Sequence, residues 1–265
     1  MTKGKDNNEA ITITFGDVCE NHVGMQKIGS LSNTGFSYQD LKRAHLYFKN
    51  LNIKTRLINL KATLLEEGYG EDAEDAYLLI IKGGNESADS LYSEQKKLEP
   101  DTKCLMYGRL VNKHARYNLC FSEESQEPDY EAGKGRIYGY DTVPFLKELK
   151  EKLKEILGDV GANLNAEGNY YYDVTKCGIG YHGDSERRKV IAIRMGPGYL
   201  PLNFVWYKDG IPVSKEIEIN DLKHGDMYIM SNKATGFDWK KKKIYTLRHA
   251  AGCSKYTSIK EEKKK

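Results

Sequence analysis

Apolar and polar positions follow different rhythms in the two halves of the chain. Near the start, Ile11-Thr12-Ile13-Thr14-Phe15 alternates with the period of two that marks a half-buried strand. Residues 38–51 repeat Leu41, Ala44, Phe48 and Leu51 at helical spacing. Residues 55–60 and 76–82 read as strands and 87–98 as a helix, with Pro100 beyond it. Two further strands, 103–110 and 115–121, are expected to form a hairpin through Val111-Asn112-Lys113-His114. A polar stretch, 123–135, then separates this mixed part from the remainder of the chain.

The next segment is the most regular helix in the sequence. Thr142 is expected as its N-cap and Pro144 suits its first turn. Phe145, Leu146, Leu149, Leu153, Ile156 and Leu157 form one stripe, and Gly158 ends it. Beyond Gly161 come short β-branched or aromatic runs at 169–173, 190–195, 202–208, 216–219, 227–230 and 244–249. Turn signals at 208–210 and 223–226 are expected to close hairpins. Strands at this spacing argue for a jelly roll. The expected fold is therefore α+β. Residues 136–265 would form a double-stranded β-helix with a supporting helix, and residues 1–135 an α/β extension or substrate-recognition lobe packed on it.

Composition narrows the class. Charged residues make up 30% and hydrophobic ones 39% of 265 residues, which suits a water-soluble globular protein. No apolar run approaches the roughly 18 residues of a membrane span, and residues 1–10 lack the apolar core of a secretory signal. Five scattered cysteines without a C-x-x-C pair read as reduced thiols of an intracellular protein, in cytoplasm or nucleus. The net charge of +3 hides an asymmetry. Residues 233–265 hold 11 Lys/Arg against 3 Asp/Glu, a balance of +8 that leaves −5 for the rest. Lys240 to Lys243 and the lysine tail could face phosphates, or serve only solubility.

The candidate chemistry lies in Gly178-Ile-Gly-Tyr-His-Gly-Asp-Ser-Glu186. Residues i and i+2 of a strand share a face, so His182 and Asp184 would converge. With one distant histidine they would make a 2-His-1-carboxylate triad, which holds Fe(II) and leaves coordination positions open. His224-Gly225-Asp226 has the same spacing but sits in a turn, and only 25 residues separate it from His249. The interval from His182 to His249 is 67 residues, room for several strands, so the proposed ligands are His182, Asp184 and His249. Glu20, Asn21 and His22, in the polar segment after the first strand, are further binding candidates, or else a helix start or a buried hydrogen-bonded loop.

From Tyr138 to Ile259 the chain resembles the AlkB-like branch of the 2-oxoglutarate and Fe(II)-dependent dioxygenases. The resemblance rests on the Val143-Pro-Phe-Leu helix, Asn169-Tyr170-Tyr171, the His182-x-Asp184 motif, Ala234-Thr-Gly-Phe-Asp-Trp239 and His249. It implies a dioxygenase that uses O2 and 2-oxoglutarate to hydroxylate or oxidatively demethylate a nucleic-acid base in DNA or RNA. It also implies that Asn169 and Tyr171 bond the cosubstrate. The family's closing R-x-N-x-x-x-R run is absent, so another cation must meet the distal carboxylate. Arg194, Lys255 and Lys260 are the candidates, and other branches favour the position of Lys260. Glu186, Arg187 and Arg188 stand where substrate would be gripped. A protein side-chain hydroxylase and a non-catalytic jelly-roll binding module are the alternatives.

Overall fold

The computed structural model describes residues 8–259. The first half comprises β1 (Ala10–Gly16), β2 (Val18–Glu20), β3 (Lys27–Gly29), α1 (Tyr38–Asn50), β4 (Thr55–Asn59), α2 (Lys61–Glu66), β5 (Tyr77–Ile81), α3 (Ala88–Gln95), β6 (Lys103–Met106), β7 (Arg109–Asn112) and β8 (Tyr117–Ser122). The second begins with β9 (Ile137–Gly139), α4 (Pro144–Leu157), β10 (Asn165–Tyr171), β11 (Gly178–His182), β12 (Val190–Met195) and β13 (Leu202–Lys208). The chain continues with β14 (Ile211–Pro212), β15 (Ile217–Ile219), β16 (Met227–Met230), β17 (Thr246–Gly252) and α5 (Ser254–Thr257).

These strands build a mixed α+β fold around a curled eight-stranded sheet ordered β4-β5-β16-β12-β1-β10-β8-β9. A smaller sheet runs β11-β17-β13-β14, with β15 also paired to β13. Strands from before and after residue 135 are interleaved in the large sheet: β1 lies between β10 and β12, and β5 pairs with β16. The expected division at 135/136 therefore does not separate the sheets. The first part of the chain is woven into the large sheet instead of resting on it.

Strand alternation sorts the side chains of the large sheet into two layers. Ile11, Ile13, Phe15, Leu119, Phe121, Ile191, Ile193, Met227 and Ile229 face one core, which Leu41, Ala44 and Phe48 of α1 and the stripe of α4 cover. Each such side chain, fully buried, contributes about 1.5–3 kcal/mol. Leu78, Ile80, Val190, Ala192, Tyr228 and Met230 face the other way, against Leu202, Phe204, Trp206 and Leu247 of the small sheet. On that second face the row set by register across β12, β1, β10 and β8 is polar: Arg194, Thr12, Asn169 and Asn118. The apolar part of this face is filled by the small sheet, and the polar part lines a cavity.

Several local expectations change. Thr142 does not cap α4; its hydroxyl donates to Gly139 O, and Glu94 of α3 accepts from the amides of Phe145 and Leu146 instead. The hairpin of residues 103–112 turns at Tyr107-Gly108, whose φ angles of 50° and 73° suit a two-residue turn, so β6 pairs with β7 and not with β8. The turn at 208–210 closes β13 on β14 as read. The turn at 223–226 carries the chain from the small sheet to the large one, because β15 pairs with β13 whereas β16 pairs with β12 and β5.

That second turn settles the role of the other His-x-Asp pair. Asp226 accepts from the amides of Gly83 and Lys223 and lies 2.5 Å from Lys82 Nζ. It is a buried fastener between β5 and β16. Asp226→Asn is expected to lower stability by about 1–3 kcal/mol, discounted because Lys82 is partly exposed, and to leave metal binding unchanged. Thermal unfolding alongside a metal titration checks both halves of that expectation.

Candidate metal centre

His182 ends β11 and sits opposite His249 of β17, with a local irregularity in the pairing between Ile179 and His182. The two imidazoles lie 4.5 Å apart, centre to centre, inclined at 60°. Asp184 Oδ1 lies 3.5 Å from His182 Nε2 and 3.6 Å from His249 Nε2. One ligand atom from each residue falls within 4.8 Å of the others. Among the described residues no other group of three His, Cys, Asp or Glu side chains converges in this way.

The backbone around the motif explains why it holds this shape. The amide of Asp184 donates to Thr235 O at 2.9 Å, fastening the turn after β11 to the segment before Trp239. A Cβ on Gly183 would stand 2.0 Å from Gly236 O, so glycine is required where the two segments cross. Gly183→Ala is expected to cost more than about 1–3 kcal/mol, the usual range for overpacking, because the obstructing atom is backbone. A thermal melt of the metal-free variant checks it.

The surroundings of the three side chains suit a cation. His182 Nδ1 meets Gly180 O at 2.8 Å, which places its proton on Nδ1 and leaves the Nε2 lone pair facing the other ligands. Burial, and then the neighbouring His182, push the pKa of His249 down and favour its neutral form. Burial alone would raise the pKa of Asp184. The adjoining His249 and His182 rings and the Arg187 guanidinium outweigh it and hold the carboxyl well below its usual range. Neutral imidazoles and an ionised carboxylate are the forms that bind a divalent metal. His249 Nδ1 has no hydrogen-bond partner.

The triad opens into a cavity of about 640 Å³ lined by both parts of the chain. Arg194, Tyr171, Thr12 and Tyr228 line it from the large sheet, Trp239 and Lys240 from the segment after β16. Arg194 is 1% exposed and has no ion-pair partner among the described residues. Its Nε and Nη1 are buried without a hydrogen bond, and burial pushes its pKa down. Such a buried cation is costly unless an acceptor completes it.

The remaining sequence candidates divide. Tyr171 lines the cavity as expected. Asn169 lines it too, but its Oδ1 already accepts from Arg116 Nε at 2.6 Å and Asn118 Nδ2 at 2.9 Å, and its amide donates to Glu167 at 3.2 Å. One N–H is left for any ligand. Asn21 and His22 reach the wall from the loop after β2, where Asn21 bonds Asp101 and Lys113. Glu186 is on the wall. Arg187 is on the wall too; it is 3% exposed and bonded to Glu167, while its Nη1 is buried without a hydrogen bond. Arg188 is not part of the wall; its guanidinium stacks 3.9 Å over the Phe237 ring. Lys255 is exposed, and Lys260 lies outside the described residues.

Sequence reading missed Lys113, Arg116, Asn118 and Glu167, all on the cavity wall. Lys113 Nζ bonds Asn21 and Asn118, and burial pushes its pKa down to about 8. Only pairing between distant strands brings these residues to the triad. The one local signal was the alternation that turned Thr12 and Thr14 away from Ile11, Ile13 and Phe15.

No family model matches the chain. Over 250 residues it is 48% identical to Uncharacterized protein R156 of Acanthamoeba polyphaga mimivirus. It belongs to the R156 family. The match covers 94% of this chain and 97% of R156, so the kinship spans the cavity and the ligand-bearing strands together. No helix among the described residues is long and apolar enough to cross a membrane.

Proposed function

We propose that the chain is an Fe(II)- and 2-oxoglutarate-dependent dioxygenase that hydroxylates or oxidatively demethylates its substrate, a nucleic-acid base in the first instance. The observation that carries this reading is the His182–Asp184–His249 triad opening into one cavity with a buried, unpartnered Arg194. Two imidazole nitrogens and one carboxylate oxygen suit Fe(II) and leave positions free. Arg194 suits a carboxylate, because a guanidinium in a dry wall needs an anion with acceptors for its N–H groups. Tyr171 lines the same cavity, where burial pushes its phenol up against the opposing charges of Arg116 and Arg194.

Strand order supports the jelly-roll reading. The runs β10-β1-β12-β16 and β11-β17-β13-β15 make two facing four-stranded layers. In this arrangement β1 lies between β10 and β12. Arg194 on β12, directly opposite Thr12 of β1, is the cation that would meet the distal carboxylate.

When bound, Fe(II) and 2-oxoglutarate would supply the chemistry that lets O2, the oxidant, break a substrate C–H bond, with 2-oxoglutarate oxidised to succinate and CO2. His182, Asp184 and His249 would hold the metal, while Arg194 and Tyr171 would orient the cosubstrate. A nucleic-acid substrate is favoured by Trp239 and Lys240 at the cavity, continued outward by exposed Lys241 to Lys243. An aromatic ring can stack on a base while lysines meet its phosphates.

The test is succinate formation by the Fe(II)-loaded protein with 2-oxoglutarate, offered single-stranded DNA, RNA or peptide pools. Stimulation by a nucleic acid, abolished by His182→Ala, is expected. Stimulation by peptides alone moves the substrate to a protein side chain. No His182-dependent succinate with any pool contradicts an enzyme and leaves a binding module.

A further inference from the structure

Arg187 stands beside the triad on the cavity wall, next to Glu167 and Glu186. Its Nη2 lies 2.7 Å from Glu167 Oε2 and 3.0 Å from Glu186 Oε1, and its Nε lies 3.9 Å from Asp184 Oδ2. Asp184 Oδ1, by contrast, faces the two imidazole Nε2 atoms at 3.5 and 3.6 Å. The two oxygens of one carboxylate are thus assigned to different neighbours. Glu167, in turn, is on the central strand β10 and also accepts from the amide of Glu20 at 3.3 Å. Arg187 and Glu167 are 3% and 7% exposed, so the pair is a buried strut between the turn bearing Asp184 and the large sheet.

We propose that the Arg187–Glu167 pair is a positioning device that holds Asp184 Oδ2 away from the metal and presents Oδ1 alone, so that the carboxylate binds through one oxygen. The proposal rests on the metal-centre reading above. A carboxylate free to rotate could chelate through both oxygens and occupy a position that the cosubstrate needs. Partners that orient metal ligands in this way typically affect metal affinity about 10- to 100-fold.

Removing Arg187 alone mixes two effects of opposite sign. It frees Asp184, but it also deletes a positive charge beside a cation site, and it leaves Glu167 buried and unpaired. The charge-neutral double substitution Arg187→Met with Glu167→Met removes the strut without changing the local net charge, and it places two apolar side chains of similar length in its room. Arg187→Lys keeps the charge and loses the planar fork that lets one side chain meet two carboxylates.

The experiment measures Mn(II) affinity by electron paramagnetic resonance and the visible absorption of the Co(II)-substituted protein, for the wild type and both variants, with melts of the metal-free forms as a folding control. In the double variant, Mn(II) affinity is expected to fall at least about tenfold, and the Co(II) spectrum to change as the carboxylate swings to two-oxygen binding. Arg187→Lys should fall between the double variant and the wild type. A folded double variant with wild-type affinity and an unchanged Co(II) spectrum overturns the proposal. If the double variant fails to fold, Arg187→Lys decides by the same two measurements. A wild type that binds neither ion overturns the metal centre itself, a separate failure visible before any variant is made.

Discussion

Arg194→Met is expected to make the metal-free protein more stable while it sharply weakens the affinity for 2-oxoglutarate. Both effects follow from one fact: a guanidinium 1% exposed, with Nε and Nη1 unbonded and no carboxylate paired to it. Buried charges are costly, and replacing even paired ones by well-packed apolar groups often stabilises a fold by about 1–4 kcal/mol. Methionine fills a similar length and adapts to irregular space. The loss on the binding side is larger. Truncating one member of a buried, hydrogen-bonded charge pair costs about 2–5 kcal/mol, which weakens cosubstrate binding roughly 30- to 4,000-fold. Metal affinity should stay unchanged, because Arg194 is on β12 and none of the ligands is. A rise in melting temperature together with weakened binding in calorimetry is the expected pair of results. A drop in stability with cosubstrate affinity intact would assign Arg194 to the fold alone.

His249→Ala is expected to remove stoichiometric Mn(II) or Fe(II) binding. The triad offers two nitrogens and one oxygen, and deleting one of three protein ligands should cost more than the 10- to 100-fold typical of supporting residues. Some stability goes too, since His249 is 7% exposed and its ring lies 6.0 Å from that of Phe204. That loss should stay within the roughly 0.5–3 kcal/mol of an ordinary point substitution. His224→Ala provides the control: His224 belongs to the turn before β16, where Gly196 N donates to its Nδ1 at 2.9 Å, and its loss should leave metal binding intact. Equilibrium dialysis of the three proteins separates these outcomes.

Much of this was legible because the informative strands carry their burial in their own sequence. Val190 to Met195 and Met227 to Met230 are buried at every position, and an unbroken β-branched or apolar run is what such strands require. The stripe of α4 was equally direct. The His182–Asp184 spacing was readable because two residues suffice to state it, and His249 could be chosen from the chain length left for strands. Long-range pairing was not readable. Nothing in Ile11 to Phe15 says that β1 lies between β10 and β12, since its alternation would look the same at a sheet edge. The exchange of hairpin partners around β6, β7 and β8 has a similar origin: Tyr107-Gly108 is a weaker turn signal than the polar Asn112-Lys113-His114 just beyond it. Arg187 shows a different limit. Its place after the motif suggested a substrate grip, and only the approach of Glu167 from β10 makes it a buried strut.

The central claim is that one cavity holds a metal through His182, Asp184 and His249 and a dicarboxylate through Arg194. Anaerobic calorimetric titration of the purified protein with Fe(II), followed by 2-oxoglutarate, tests it most directly. One Fe(II) per chain is expected, then one 2-oxoglutarate that binds tightly only after the metal and not to Arg194→Met. Absence of stoichiometric Fe(II) binding, or 2-oxoglutarate binding that ignores both the metal and Arg194, would contradict it.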